Sequence, residues 1–231
     1  RSSAASDVYK RQTLGSAIAE SPVIAENGTI VVQGDDEIHR ETITRSDAVA
    51  AVRTTRALRE QGLDVGPVIA TRDRAYVDRI DERFVRQCAF YYAALEPVED
   101  VLDLALDNVL KIAVYAFGDA ESECYGPLSA AVPGVQTVVS GVHWVDMMPR
   151  TASKGRALAA VQERLGITPA QTAVFGDYLN DAELYDYSEL SFAMANAHPG
   201  ILSRARYIAP ANTDDGVLRT IETLLDRLSP R

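Results

Sequence analysis

The sequence predicts an α/β protein in two parts: a mixed α+β segment with a locally paired antiparallel sheet, then a parallel sheet flanked by helices. Three observations carry this reading. Strand-length apolar runs crowd the middle of the chain, residues 45–142, with two or three helical stripes among them. From Ser153 the pattern changes to a regular alternation of helix and strand, which means a parallel sheet with helices on its faces. The 231 residues are 47% hydrophobic and 24% charged, enough apolar side chain to fill a core, so disordered, collagenous and low-complexity classes are excluded.

The elements follow in order. Residues 1–12, RSSAASDVYKRQ, show neither strand alternation nor a helical stripe. They read as a non-native leader resembling translated vector sequence, so that the native protein would begin upstream of Thr13. Residues 22–25 form a short apolar run that stops at Glu26-Asn27-Gly28, expected to be a buried parallel strand entering a turn. Residues 29–33 and 37–42 flank Gly34-Asp35-Asp36 as a hairpin. Ser46 is placed to cap a helix running to Glu60, with Val49, Val52 and Leu58 inward and Gly62 closing it. Strands are expected at 65–70 and 75–78, a helix at 82–95, a strong strand at 108–117, a helix at 120–131, and strands at 135–140 and 143–148.

In the last part, Ser153 caps a helix with Leu158, Val161 and Leu165 on one stripe, ended by Gly166. Strands at 172–175, 191–195 and 207–209 alternate with helical segments at 181–187 and 200–205. An amphipathic helix striped by Val217, Leu218, Ile221, Leu224, Leu225 and Leu228 ends the chain.

Charge narrows the function. With 23 Lys+Arg against 33 Asp+Glu the formal charge is -10, a field that repels nucleic acid and anionic membrane. Apolar stretches are too short to span a bilayer. Cys88 and Cys124 stand alone, outside any zinc-type spacing, and read as free thiols in a reducing compartment, the cytoplasm. His39, His143 and His198 are far apart and lack a nucleophile pattern, which argues against a triad. Arg72 and Arg74 read as solvated loop residues, and Trp144, Met147 and Met148 as packing.

Three polar features fall where open parallel sheets collect ligands, beyond the carboxyl ends of strands. Gly176-Asp177-Tyr178-Leu179-Asn180-Asp181 directly follows a buried strand, and its two carboxylates and amide suit a hard divalent cation such as Mg²⁺. The same residues also suit a plain helix start, with Asn180 as N-cap and Asp181 facing the helix dipole, and both readings stay open. Lys154 opens a helix, where a cation makes sense if amine and helix N-terminus share one phosphate; a solvated lysine is the alternative. Glu26-Asn27-Gly28 by itself signals only a turn.

Taken in order, Ser153-Lys154-Gly155, the 176–181 loop, Ala193-Met194-Ala195-Asn196-Ala197 and Asn212-Thr213-Asp214-Asp215-Gly216-Val217 resemble the haloacid dehalogenase (HAD) superfamily. Within it, the pattern is most similar to the Cof-like phosphatases with a type IIB cap, and residues 21–28 resemble that family's third core strand and its turn. The resemblance implies a Rossmann-like parallel core with an inserted α+β cap. Residues 13–44 would be a core fragment, 45–142 the cap and 143–231 the rest of the core. It implies that Lys154 steadies the phosphoryl group, that Asp177 and Asp181 serve Mg²⁺, and that Asn180, Asn196, Asn27 and Gly28 line the phosphate and substrate site. Ala195 replaces the family's usual glycine.

The larger departure is that no Asp-x-Asp-Gly-Thr run, the family's nucleophile loop, occurs in the sequence. A missing strand–helix–strand unit, roughly 30–55 residues, would account for it. The resemblance implies a Mg²⁺-dependent phosphatase acting on small phosphomonoesters through an aspartyl-phosphate, with this chain inactive for want of the nucleophile. A non-catalytic HAD-like binding module, and a sister-subfamily sugar-phosphate phosphatase or phosphomutase, are the competing readings. A small-molecule phosphate ester is the expected partner; no nucleic acid, membrane or obligate protein partner is inferred.

Overall fold

The computed structural model describes residues 21–228, so the expectations for residues 1–12 and for Thr13 lie outside the described residues. The chain divides into two compact units between Ala152 and Ser153.

In the first unit, β1 (Val23–Ala25), β2 (Ile30–Gln33) and β3 (Asp36–Arg40) form a three-stranded sheet in that order. All its pairings are antiparallel, with Ala25 opposite Ile30, which corrects the parallel strand expected at 22–25. The cause is the turn. Glu26, Asn27 and Gly28 take φ values of 47°, 59° and 98°, which fold the chain straight back onto β1. A parallel neighbour would need a crossover of roughly a dozen residues. For the two non-glycine residues this left-handed backbone costs about 1–2 kcal/mol each. The β2–β3 hairpin turns on Gly34, at φ 60°.

Helix α1 (Arg45–Glu60) is capped by Thr44, whose extended backbone lets its Oγ1 accept from the Asp47 amide at 3.2 Å. Ser46, the expected cap, lies inside the first turn. A six-stranded sheet follows, built from β4 (Val65–Ala70), β5 (Ala75–Val77), β6 (Leu95–Pro97), β7 (Lys111–Ala116), β8 (Val135–Gly141) and β9 (Trp144–Pro149) in the order β6-β5-β4-β7-β9-β8. Only the β5–β6 pair is parallel. Period-2 alternation gives the sheet two apolar faces. On one, Ala48, Val52 and Leu58 of α1 pack against Ile69, Ile112, Val114, Val145 and Met147. On the other, Phe84 and Cys88 of α2 (Glu82–Ala89) pack against Val68, Ala113, Tyr115 and Trp144.

Two predicted helices are shorter than expected. The helix at 82–95 stops at Ala89 because the Tyr91 and Tyr92 amides both turn back to the Cys88 carbonyl, freeing Leu95–Pro97 to pair with β5. The helix at 120–131 splits into a π-helical turn, Glu121–Tyr125, and α3 (Gly126–Ala131). Pro127, in the first turn of α3, has no amide to offer the preceding turn. Trp144–Pro149 pairs with both β7 and β8, and the two compact units divide after Ala152. Arg72 and Arg74 are not simply solvated: Arg72 donates to the Asp35 carbonyl at 2.9 Å, and Arg74 pairs with Glu96.

The second unit is a parallel sheet, β10 (Ala173–Gly176), β11 (Leu190–Met194) and β12 (Tyr207–Ala209), in sequence order. It carries helices α4 (Lys154–Leu165), α5 (Pro199–Leu202) and α6 (Gly216–Leu228). Ser153 caps α4 by accepting from the Arg156 amide at 3.2 Å, and Gly166 ends it at φ 64°. Val161 is buried, whereas Leu165, expected on the same stripe, is exposed. The helix expected at 181–187 is a 3₁₀ segment, Leu179–Tyr187. Its Glu183 carbonyl lies so close to α4 that a Cβ at Gly155 would meet it at 2.6 Å. Among the described residues no helix is long and apolar enough to cross a membrane.

Two outcomes follow. Gly155→Ala, despite the better helix former, should lower the urea unfolding free energy by about 1–3 kcal/mol, the usual range for an overpacked contact; an unchanged midpoint would refute the close approach. Burial pushes the Cys88 thiol up to about 12 and the Cys124 thiol up to about 11, and both are free. Ellman's reagent at pH 8 should therefore label neither in the native chain and both after denaturation.

Candidate active site

In the second unit the polar loops all leave the carboxyl ends of the parallel strands. Asp177 follows β10, Asn196 follows β11 and Asn212 follows β12. Gly176 allows the first of these exits. A Cβ there would sit 2.7 Å from Asp181 Cβ and 2.9 Å from the Tyr185 hydroxyl.

Asp181 is the centre of the arrangement. It is buried, at 7% exposure. One carboxylate oxygen, Oδ1, accepts from Lys154 Nζ at 2.6 Å. The other, Oδ2, accepts from the backbone amides of Asp177 and Tyr178 at 3.1 and 3.4 Å. The four-residue spacing read in the sequence thus returns Asp181 onto the start of its own loop. Tyr178 occupies the cap position, with extended φ/ψ of -134° and 168°, so Asn180 is the second residue of the 3₁₀ segment and not its N-cap. Asn180 is exposed there. Lys154 is a held cation, since an ammonium and a carboxylate at 2.6 Å form a charge-assisted bond.

The remaining loops lock onto Asp177. Asn212 Nδ2 donates to Asp177 Oδ2 at 2.8 Å, while its amide donates to Asn196 Oδ1 at 3.0 Å. The His198 amide donates to the Asp177 carbonyl at 2.8 Å. The His198 ring stands edge-on to Tyr178, with centroids 5.6 Å apart. Beneath them the Tyr185 hydroxyl donates to the Phe192 carbonyl at 3.1 Å. Burial, with the Asp181 and Asp177 charges adding to it, pushes that hydroxyl up to about 12.

The structure therefore brings together Lys154, Asp177, Asp181 and Asn196. Asn27 and Gly28 belong to the first unit, in the turn after β1, where Asn27 Nδ2 donates to Met148 Sδ at 3.5 Å. Asn212 is the residue that sequence reasoning missed as a site member. Its signal was present, as the first residue of the Asn-Thr-Asp-Asp-Gly-Val run, but its link to Asp177 depends on where β12 ends.

Among the described residues no three His, Cys, Asp or Glu side chains gather as a ready-made metal cluster. The donors here are all oxygen and suit Mg²⁺, which is commonly held by one or two carboxylates with waters completing its shell. Asp177 offers an exposed carboxylate, whereas both oxygens of Asp181 are already engaged. The fit is that of one carboxylate ligand with a positioned lysine beside it.

Comparison with known proteins identifies the family. The family described as haloacid dehalogenase-like hydrolase matches residues 3–221. The 5-amino-6-(5-phospho-D-ribitylamino)uracil phosphatase YbjI of Escherichia coli (strain K12) is 27% identical over 213 residues, 91% of this chain and 77% of that protein. SMU.1108c from Streptococcus mutans shares the fold at a TM-score of 0.80 and 20% identity, over 97% of this chain and 84% of its own. The HAD subclass IIB sugar phosphatase BT4131 does so at 0.71 and 16% identity, over 95% and 79%.

Replacing Asp181 by Ala should speed hydrogen exchange at the Asp177 and Tyr178 amides by about tenfold, the opening of a locally held loop. It should also return the Lys154 ammonium resonance to that of a solvated lysine. Unchanged exchange at both amides would show that another group closes the loop.

Proposed function

The chain belongs to the haloacid dehalogenase-like hydrolases, and from that premise we propose that its chemistry is that of a Mg²⁺-dependent phosphatase that cleaves small phosphomonoesters through an aspartyl-phosphate. The observation that carries the proposal is Lys154 held by Asp181 beside the exposed carboxylate of Asp177, at the carboxyl end of β10. An ammonium fixed there is preorganised for the equatorial oxygens of a phosphoryl group, where charge spreads during transfer. Asp181 orients that ammonium. Asp177 would hold Mg²⁺ through a carboxylate oxygen, with Asn212 and Asn196 steadying its loop. Mg²⁺, when bound, supplies charge neutralisation at the phosphoryl oxygens. In a chain of net charge -10, such a local positive focus is what an anionic substrate needs.

The substrate class is proposed from relatives named as a phosphoribitylamino-uracil phosphatase and a sugar phosphatase: a small sugar-phosphate-like ester. Asn27 and Gly28 are proposed to meet that substrate, and Asn180 to support the phosphate. The cytoplasm suits two buried unpaired thiols. One observation favours a second reading, a HAD-like binding module without catalysis: these 231 residues contain no Asp-x-Asp-Gly-Thr run to provide the nucleophile.

Two measurements separate the readings. The purified chain with Mg²⁺ should release no phosphate from p-nitrophenyl phosphate above a mock preparation. The chain with an Asp-x-Asp-Gly-Thr strand-and-helix segment supplied in frame ahead of it should hydrolyse it, lose that activity to EDTA, and lose about 10²–10³-fold in kcat on Lys154→Ala. Turnover by the chain as it stands, or a chain so extended that is inert with Mg²⁺ on a broad set of phosphate esters, would overturn the proposal.

A further inference from the structure

The first unit buries a charge cluster that the proposed chemistry does not use. Lys111, the first residue of β7, has a side chain 9% exposed; those of Glu26 and Asp146 are 0% and 8% exposed. Lys111 Nζ lies 2.8 Å from Glu26 Oε2 and 3.4 Å from Asp146 Oδ2. It also sits 5.8 Å from the centroid of the buried Tyr92 ring. Burial alone would push the ammonium down, but the Asp146 and Glu26 carboxylates more than reverse this and hold it well above its ordinary value. It is an ammonium enclosed between two buried carboxylates.

The placement of the cluster is informative. Glu26 opens the turn in which three successive residues have positive φ, 47°, 59° and 98°. Strained backbone of this kind persists only where its surroundings over-determine it. Local bonds are modest: the Thr29 amide and hydroxyl donate to the Glu26 carbonyl at 3.3 and 3.1 Å. The tertiary hold comes from the six-stranded sheet. Lys111 bridges Glu26 and Asp146, and Met148, two residues beyond Asp146 and on the same face of β9, accepts from Asn27 Nδ2 at 3.5 Å. Leu110, next to Lys111, packs with Ala25, Ile30 and Val32 on either side of the turn.

We propose that Lys111 is a positioning residue: clamped between Glu26 and Asp146, it fixes the left-handed Glu26–Gly28 turn and so sets the orientation in which Asn27 and Gly28 are presented. Buried ion clusters add little net stability compared with apolar packing, and their best-attested use is to specify one geometry among several. The clamp's bearing on catalysis rests on the proposal that Asn27 and Gly28 meet the substrate.

Lys111→Met alone strands two buried carboxylates, so the deciding variant combines Lys111→Met with Glu26→Gln and Asp146→Asn, a neutral cluster of similar volume. In that variant the Asn27 and Gly28 amides should exchange about tenfold faster and shift in the NMR spectrum, while the Val31 and Val32 amides of the adjoining strand stay within about twofold. Exchange at Asn27 and Gly28 that matches the unmodified chain overturns the proposal. So does an equal rise at the turn and at β2, which would make the cluster merely structural. Should the combined variant fail to fold, Glu26→Gln alone is judged by the same two comparisons. Titration of the unmodified chain with inorganic phosphate separates the two claims. Shifts at Lys154 and Asp177 with none at Asn27 and Gly28 overturn the substrate-facing assignment of the turn, whereas the clamp is decided by the exchange data.

Discussion

A carboxylate has two oxygens, and at Asp181 they face different tasks. Oδ2 ties down the two amides at the mouth of the loop after β10, and Oδ1 holds the ammonium of Lys154 from another helix. Everything proposed for the second unit depends on that division. Without the amide bonds, Asp177 has no fixed direction, and without the lysine contact a cation at the start of α4 would face the positive end of a helix dipole uncompensated. The same pair of bonds explains why glycines flank it. Gly176 lets Asp181 come close, and Gly155 lets α4 lie against the 3₁₀ segment that carries Asp181.

What the sequence revealed was what short range dictates. The 176–181 loop was legible because a glycine, a strand end and a four-residue spacing suffice to close it, and Ser153 was legible as a cap because its bond reaches only to Arg156. The parallel alternation of the last part, visible as a change of rhythm, corresponds to β10, β11 and β12. The failures involve competition between partners. Ser46 lost the cap to Thr44 because the helix starts two residues earlier, at Arg45, where the extended Thr44 backbone offers its hydroxyl to the Asp47 amide, a choice of φ/ψ invisible in composition. The strand at 22–25 reads as buried and therefore parallel, but a positive-φ turn made it a hairpin edge. The helix expected to 95 ended early because Tyr91 and Tyr92 were taken up by the sheet face, where Tyr92 is buried beside Trp144.

Contacts between distant segments were out of reach. Asn212 meets Asp177 across 35 residues, which requires knowing where β12 stops. Lys111 meets Glu26 only because two sheets pack together, and nothing in NVLKIAVYAF distinguishes this lysine from one that ends a strand in solvent. Family resemblance supplied a motif around the first residue without a role for it, and nothing for the second. The physical reading supplied the second through an imbalance: one ammonium, two carboxylates and a strained turn in the same buried place.

The two thiols occupy opposite layers of the six-stranded sheet, Cys124 with the α1 side and Cys88 with the α2 side. Each therefore becomes visible to solvent only when its own layer lifts. The chain carries a built-in pair of gauges, and the order in which they open on mild heating would tell whether the sheet sheds one blanket of helices before the other or loses both together.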